Sequence, residues 1–310
     1  MGNLKQFSNY QYIGGEMTKR DKQEVGSKFW NEGKWNNFVL PFLPKNCKGM
    51  TLIDMGCNAG IFLRLAEEKG FDQVVGVDSN KAAVKKAILY RRKNKGTYRI
   101  YYKHMEKVID ILPVADFTIL ANAHYYFPIN NWLDYLDKLV TKTRYCIIVT
   151  AKKKEVTCKA SANPDMVENY FRNWDKIGNT IEPPLGGDPY PRRLWGLCFK
   201  SPLIERVSMD SLYSSNKNQI SFWPELDKGI EPLNTEYYKF LKKYRGKRKW
   251  PQERITKFML DKAELFESIK KNGMRDAIII NRKNKVVDGS HRYEIKKYLG
   301  HKTILARRTS

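Results

Sequence analysis

Two carboxylates, at the ends of successive apolar strands, stand out first. The segment Leu52-Ile53-Asp54-Met55-Gly56-Cys57-Asn58-Ala59-Gly60-Ile61-Phe62 reads as an apolar strand that reaches an acid, turns on two glycines and feeds a helix. Glycine lets the backbone pass close to a ligand where a Cβ would clash. Asn58 stands where a third glycine would serve, and Asn tolerates the left-handed backbone better than most residues. A second strand, Gln73–Val77, ends at Asp78, 24 residues after Asp54. A carboxylate at the end of a second strand suits the two hydroxyls of a ribose. The turn alone is weak evidence; the turn followed by that acid, in an alternating β/α pattern, is strong. The spacing Gly56–Gly60 does not satisfy the G-x-G-x-x-G turn that cradles a dinucleotide pyrophosphate.

Two further sets of residues invite chemistry. After the fourth strand comes Ala121-Asn122-Ala123-His124-Tyr125-Tyr126-Phe127. His124 is a candidate general base or orienting group, set against the plainer reading of a histidine packed in a tight loop. Near the C-terminus stands Val287-Asp288-Gly289-Ser290-His291-Arg292. A strand ending in Asp-Gly and a helix opening on His-Arg would present backbone N–H groups and a guanidinium to a phosphate. The plainer reading is a basic accessory domain whose charge alone attracts polyanions.

The elements needed to hold these residues are legible as an alternation. Strands are expected at Thr51–Met55, Gln73–Val77, Tyr98–Tyr102, Asp116–Leu120 and Tyr145–Thr150. Helices are expected at Ile61–Lys69, Asn80–Arg92 and Trp132–Val140, with a short one at Glu106–Ile109. Near-continuous apolar strands separated by helices imply a parallel sheet covered on both faces. Lys28–Leu43 reads as a short amphipathic helix ending around Pro41–Pro44. Its Trp30, Lys34 and Trp35 either pack on the sheet or cover a ligand. Beyond Ala151 the pattern becomes irregular: Met166–Trp174 is expected helical and Ile181–Pro191 a loop. Leu194–Lys200 and Leu203–Met209 are expected to pair as an antiparallel hairpin across Ser201-Pro202. Residues 213–252, rich in Ser, Asn, Lys and Pro, are expected to be a linker. A small α+β unit over 253–310 follows, with helices at Leu260–Lys271 and His291–Leu299 and strands at Ala277–Asn281, Val286–Asp288 and Lys302–Ala306.

The pattern Asp54-x-Gly56-x-Asn58-x-Gly60, with Asp78 closing the next strand, resembles the first motifs of class I S-adenosylmethionine-dependent methyltransferases, over residues 28–210. The resemblance implies a Rossmann-like α/β fold over 1–212, ending in an antiparallel hairpin, and S-adenosylmethionine as cofactor. By position it implies that Gly56, Cys57, Asn58 and Gly60 line the methionine end of the cofactor, with Asp54 beneath the turn. Asp78 would take the ribose hydroxyls, and Ser79 and Asn80 would flank the adenosine. His104 and Met105 would stand where the family contacts adenine, though the acid common there is missing. Asn122 and His124 fall in the loop that faces cofactor and substrate. That loop lacks the Asn/Asp-Pro-Pro-Tyr/Phe tetrad of amino-group DNA methylases, which argues against DNA N-methylation. The C-terminal unit, over 255–308, resembles the ParB/sulfiredoxin-like superfamily. That resemblance implies a phosphate, nucleotide or nucleic-acid site at Asp288, Gly289, Ser290, His291 and Arg292, with ATP and magnesium as candidate ligands. Ser290 replaces the cysteine a reductase would need.

Composition sets the outer limits. The 310 residues allow about two domains. The formal net charge is +24, and residues 241–310 alone hold 21 Lys/Arg against 7 Asp/Glu. Such an excess favours an anionic partner: a nucleotide, a nucleic acid or a phosphorylated sugar. A Lys-rich compositional bias with solvated surfaces is the competing reading. No apolar run approaches the ~20 residues that span a bilayer, and the polar start lacks a signal-peptide core; membrane insertion is not expected and a cytoplasmic location is. Cys47, Cys57, Cys146, Cys158 and Cys198 form no CxxC pair, which suggests reduced thiols and no metal site. The expected function is methyl transfer to an O or N nucleophile of an unidentified anionic acceptor. The alternatives are a nucleic-acid-binding regulator with an inactive methyltransferase fold, and a bifunctional methyltransferase–kinase.

Overall fold

The computed structural model describes residues 32–124, 129–151, 164–182, 194–214, 222–246 and 250–309. Five strands alternate with helices as the apolar pattern requires: β1 (Thr51–Met55), α1 (Ile61–Glu68), β2 (Gln73–Asp78), α2 (Lys81–Lys93), β3 (Arg99–Tyr102), β4 (Ala115–Ala121), α3 (Ile129–Val140) and β5 (Thr143–Ala151). They are followed by α4 (Pro164–Tyr170), β6 (Asp175–Glu182) and β7 (Leu194–Lys200). The seven strands make one sheet in the order β3-β2-β1-β4-β5-β7-β6. β1 to β5 pair in parallel, and β7 runs antiparallel between β5 and β6.

Successive strand residues bury opposite faces. Leu52, Ile119, Ile147 and Cys198 join Trp35, Phe38, Phe62 and Phe117 on one face. Ile53, Leu120, Ile148 and Leu197 join Trp132, Phe171 and Phe199 on the other. Burial on both faces explains why β4 is apolar almost throughout: Ala115, Phe117, Ile119 and Leu120 are all buried. The helical segment before β1 packs on the first face. Trp35 is buried there with its ring 5.5 Å from Phe62, so its role is packing. Trp30 lies outside the described residues.

The chain divides into two compact units between Pro202 and Leu203, earlier than the expected end of the first domain at 212. The expected hairpin of Leu194–Lys200 with Leu203–Met209 does not form. β7 takes β5 and β6 as partners instead, so the antiparallel edge of the sheet is made by β6 and β7. β6 escaped sequence reading because Asp-Lys-Ile-Gly-Asn-Thr-Ile-Glu is poor in β-favouring residues. It also takes Ile181 and Glu182 out of the expected loop, whose remainder lies outside the described residues. At the chain's exit from β7, Ser201 donates its N–H to Arg144 O at 2.8 Å and its Oγ to Val140 O at 2.7 Å, which ends the strand.

The second unit holds β8 (Glu205–Ser208), α5 (Phe222–Asp227), α6 (Glu236–Gly246), α7 (Gln252–Asn272), β9 (Ile278–Ile280), β10 (Val286–Asp288), α8 (Ser290–Tyr298) and β11 (Thr303–Arg308). Its sheet runs β10-β9-β11-β8. β8 pairs antiparallel with β11, from Thr303↔Ser208 to Ala306↔Glu205. The described part of the expected linker 213–252 is largely helical and carries core. Phe222 and Trp223 are buried, and Trp223 stacks on Phe266 at 5.6 Å and 13°. Its Ser/Asn/Lys composition hid these anchors. Among the described residues no helix is long and apolar enough to cross a membrane. Cys47, Cys57, Cys146 and Cys198 are buried free thiols; Cys158 lies outside the described residues.

Candidate active site

The order β2-β1-β4 puts a reversal of strand order beside β1. In open α/β sheets that is where a crevice opens beyond the carboxyl ends of the strands. The turn after β1 is built into this point. Gly56 and Cys57 both donate their backbone N–H to Val77 O, at 2.7 and 3.0 Å, and Gly60 N–H closes on Cys57 O at 2.9 Å. Gly56, Asn58 and Gly60 have φ of 84°, 48° and 86°, all in the left-handed region. A Cβ on Gly56 would stand 2.6 Å from Ala123 Cβ, so the glycine is what lets the turn approach the loop after β4.

Asp78 locks this turn to the next strand. One carboxylate oxygen accepts Asn58 N–H at 2.8 Å and the other accepts Asn80 N–H at 2.7 Å. Burial pushes its pKa up, opposed by the two amide hydrogen bonds. Each carboxylate oxygen can accept more than one hydrogen bond, so acceptor capacity remains for a ligand. Asn58 Oδ1, shielded from water, accepts no hydrogen bond, which leaves a polar position in the turn to be satisfied. Asn80 itself is committed: its Oδ1 caps α2 by accepting Ala82 and Ala83 N–H at 3.0 and 3.2 Å. Ser79 is exposed beside it.

Asp54 lies below the turn at 2% exposure. Burial, and then the nearby Asp78 charge, push its pKa up to about 8. Asp54 is therefore mostly protonated at neutral pH. Cys57 departs from expectation. Its side chain turns into the core, where a Cβ on Gly76 would stand 2.7 Å from its sulfur, and burial holds the thiol well above its usual range. Only its backbone belongs to the turn. Gly76 is the signal that sequence reading passed over: a glycine inside an otherwise apolar strand marks close approach of another group, here Cys57 and Leu63.

The other expected residues are distributed around this turn by the strand ends. Lys103 N–H donates to Asp78 O at 3.1 Å, which brings the end of β3, and with it exposed His104 and half-buried Met105, beside Asp78. Met105 packs partly into the core. Asn122, with φ 55°, ends β4 and donates its N–H to Val149 O at 2.9 Å. His124 is 4% exposed, with its ring 6.4 Å from that of Trp132, and burial lowers its pKa to about 3. Burial thus keeps the ring neutral at pH 7. Tyr125 to Pro128 lie outside the described residues.

In the second unit, Gly289 adopts φ 79° at the start of α8. Arg292 folds back on Asp288 at 2.8 Å and approaches Asp276 at 3.7 Å. His291 sits against the Phe258 ring. Burial, with Lys262 and Arg292 nearby, lowers its pKa to about 4. The turn is thus closed on itself, its guanidinium balanced by two carboxylates.

Residues 29–152 match a family model described as a methyltransferase domain. The match covers β1 through β5 and every residue of the Gly56–Asp78 turn. An uncharacterised protein of Haemophilus influenzae is 29% identical over 107 residues, which are 34% of this chain and 41% of that relative, so the chain matches less than half the length of its curated relative. Solved structures similar to the chain include the magnesium protoporphyrin IX methyltransferase of Synechocystis (16% identity, 64% of this chain and 93% of that one, TM-score 0.46). Another is the N-methyltransferase NodS of Bradyrhizobium japonicum (12% identity, 61% and 94%, TM-score 0.46).

Proposed function

We propose that the methyltransferase domain binds S-adenosylmethionine at the turn between β1 and β2 and transfers its methyl group to an O or N nucleophile of an anionic acceptor. One observation carries this reading: Asp78, a carboxylate at the carboxyl end of β2, accepts the N–H of Asn58 in the Gly56–Gly60 turn and that of Asn80 at the start of α2. Asp78 would take the ribose hydroxyls, and Asn58 Oδ1 would take a donor from the methionine end. When bound, this cofactor supplies a methyl already attached to a good leaving group. The chain then has little acid–base work to do; it must hold the nucleophile in line and exclude water. That division of labour agrees with a neutral, buried His124, which we assign to supporting the loop after β4.

The second unit is assigned to holding the anionic acceptor, in line with its basic composition. A phosphoryl-transfer site with ATP and magnesium at Asp288–Arg292 finds less support, because Arg292 is already paired with Asp288 and Asp276.

Calorimetric titration of the full chain with S-adenosylhomocysteine tests the main reading. Binding with a stoichiometry of one is expected, and an absence of heat and of thermal stabilisation at saturating ligand would overturn it. Substitution of His124 by Gln provides a second check. Turnover is expected to stay within about threefold of the parent, with an unchanged pH profile between 6 and 9, because a group with a pKa near 3 does not titrate there. A loss of turnover beyond about 100-fold in a folded variant that still binds cofactor would restore the catalytic assignment.

A further inference from the structure

Helix α6 presents two unlike faces. Tyr237 and Leu241 are buried, whereas Phe240 and Tyr244 are 41% and 45% exposed. The three aromatic rings follow one another nearly parallel. Tyr237 and Phe240 have centroids 6.4 Å apart at 18°, and Phe240 and Tyr244 5.5 Å apart at 9°. Lys239, Lys242 and Lys243 are exposed on the same helix. Its one acid, Glu236, pairs with Lys239 at 2.6 Å. The sequence continues with Lys247-Arg248-Lys249, which lie outside the described residues, to Trp250, whose ring carries the Arg254 guanidinium at 4.3 Å.

A single exposed aromatic is ordinary on a protein surface. Two stacked, half-exposed rings on a helix that also carries three exposed lysines are a different arrangement. Ring faces attract other flat π-systems, and the ammonium groups on the same helix attract a polyanion and repel cationic partners. A nucleic acid strand combines both complementary features: base faces for the rings and phosphates for the lysines. A duplex hides its base faces, so the rings select for a single strand.

We propose that α6 is a binding surface for single-stranded nucleic acid, with bases stacking on Phe240 and Tyr244 and phosphates neutralised by Lys242 and Lys243. In narrowing the anionic acceptor to a polynucleotide, the assignment rests on the proposed function; the binding itself requires no methyl transfer.

Fluorescence anisotropy of the full chain with labelled oligo(dT) and oligo(U) of about 15 nucleotides, without cofactor, tests it. Both single strands are expected to bind more tightly than a duplex of equal length, with affinity falling steeply as salt rises. The double substitution Phe240→Ala/Tyr244→Ala is expected to weaken single-strand binding about 10- to 100-fold at an unchanged salt slope. Lys242→Ala/Lys243→Ala is expected to reduce that slope by about 1 to 2. Phe240→Leu/Tyr244→Leu keeps the face apolar and should fail like the alanine pair, which separates stacking from helix stability. Duplex binding as tight as single-strand binding, or aromatic variants that bind like the parent, would overturn the proposal. So would a protein that binds S-adenosylhomocysteine normally yet no oligonucleotide, and that result leaves the methyltransferase reading intact. Oligonucleotide binding without cofactor binding would support the surface and overturn the cofactor reading alone.

Discussion

Asp78→Ala is expected to weaken S-adenosylhomocysteine binding by about 100- to 1,000-fold. Two effects add. The variant loses the acceptor for two ligand hydroxyls, and hydrogen bonds to a carboxylate contribute up to about 3 kcal/mol each. It also releases Asn58 and Asn80 N–H, which Asp78 holds at 2.8 and 2.7 Å, so the Gly56–Gly60 turn loses its side-chain tie to β2 and keeps only the backbone bonds of Gly56 and Cys57 to Val77 O. Asp78→Asn keeps one acceptor oxygen and should lose less, about tenfold to 100-fold. Isothermal titration of each variant, with unliganded melting temperatures measured in parallel, separates lost ligand contact from a loosened turn. A Kd for Asp78→Ala within threefold of the parent would remove the residue from the cofactor site.

The second large effect concerns Asp54 and the pH dependence of stability. Its pKa is raised from 3.8 to about 8 in the folded chain. The native state therefore binds more protons than the unfolded state between those values, and stability falls as pH rises through that window. The full contribution is present below about pH 4 and is gone above about pH 8. Between pH 6.5 and 8 the expected loss is about 2 kcal/mol, at 1.36 kcal/mol per unit. His124 and His291, whose pKa values are lowered, act in the opposite sense below pH 6.5; from pH 6.5 upward the buried thiols Cys57, Cys146 and Cys198 act in the same sense as the aspartate near pH 8.5, so the difference between parent and Asp54→Asn is the readout. Asp54→Asn, nearly isosteric with the protonated acid, should flatten this slope. Urea denaturation at pH 6.5, 7.5 and 8.5 checks it; an equal slope in both proteins would show that Asp54 is ionised in the folded chain.

Much of the site is legible from local chemistry. The expected left-handed backbone at Asn58 is present, and the acid ending β2 does meet the turn after β1. Both follow from short-range rules: a glycine or asparagine where φ must be positive, and a parallel β-α-β unit that returns the second strand beside the first. The inward turn of Cys57 was hidden because it depends on Gly76, a neighbour supplied by the adjoining strand. The low proton affinity of His124 was hidden for a similar reason. A histidine's chemistry depends on its burial, and Trp132 comes from the following helix.

The sequence by itself determined the β/α alternation, the turn after β1, and the acid that ends β2 beside it, since each depends on residues near one another in the chain or on side-chain periodicity. Tertiary structure alone decided that Glu205–Ser208 pairs with Thr303–Arg308. The apolar pattern marks a strand but not its partner when about a hundred residues intervene. It also decided that Trp223 and Phe266 make a core where composition suggested a linker, and that Asp54 holds its proton near neutral pH. Partner choice, packing and ionisation all depend on which atoms surround a group, and those neighbours are assembled only when distant segments close on one another.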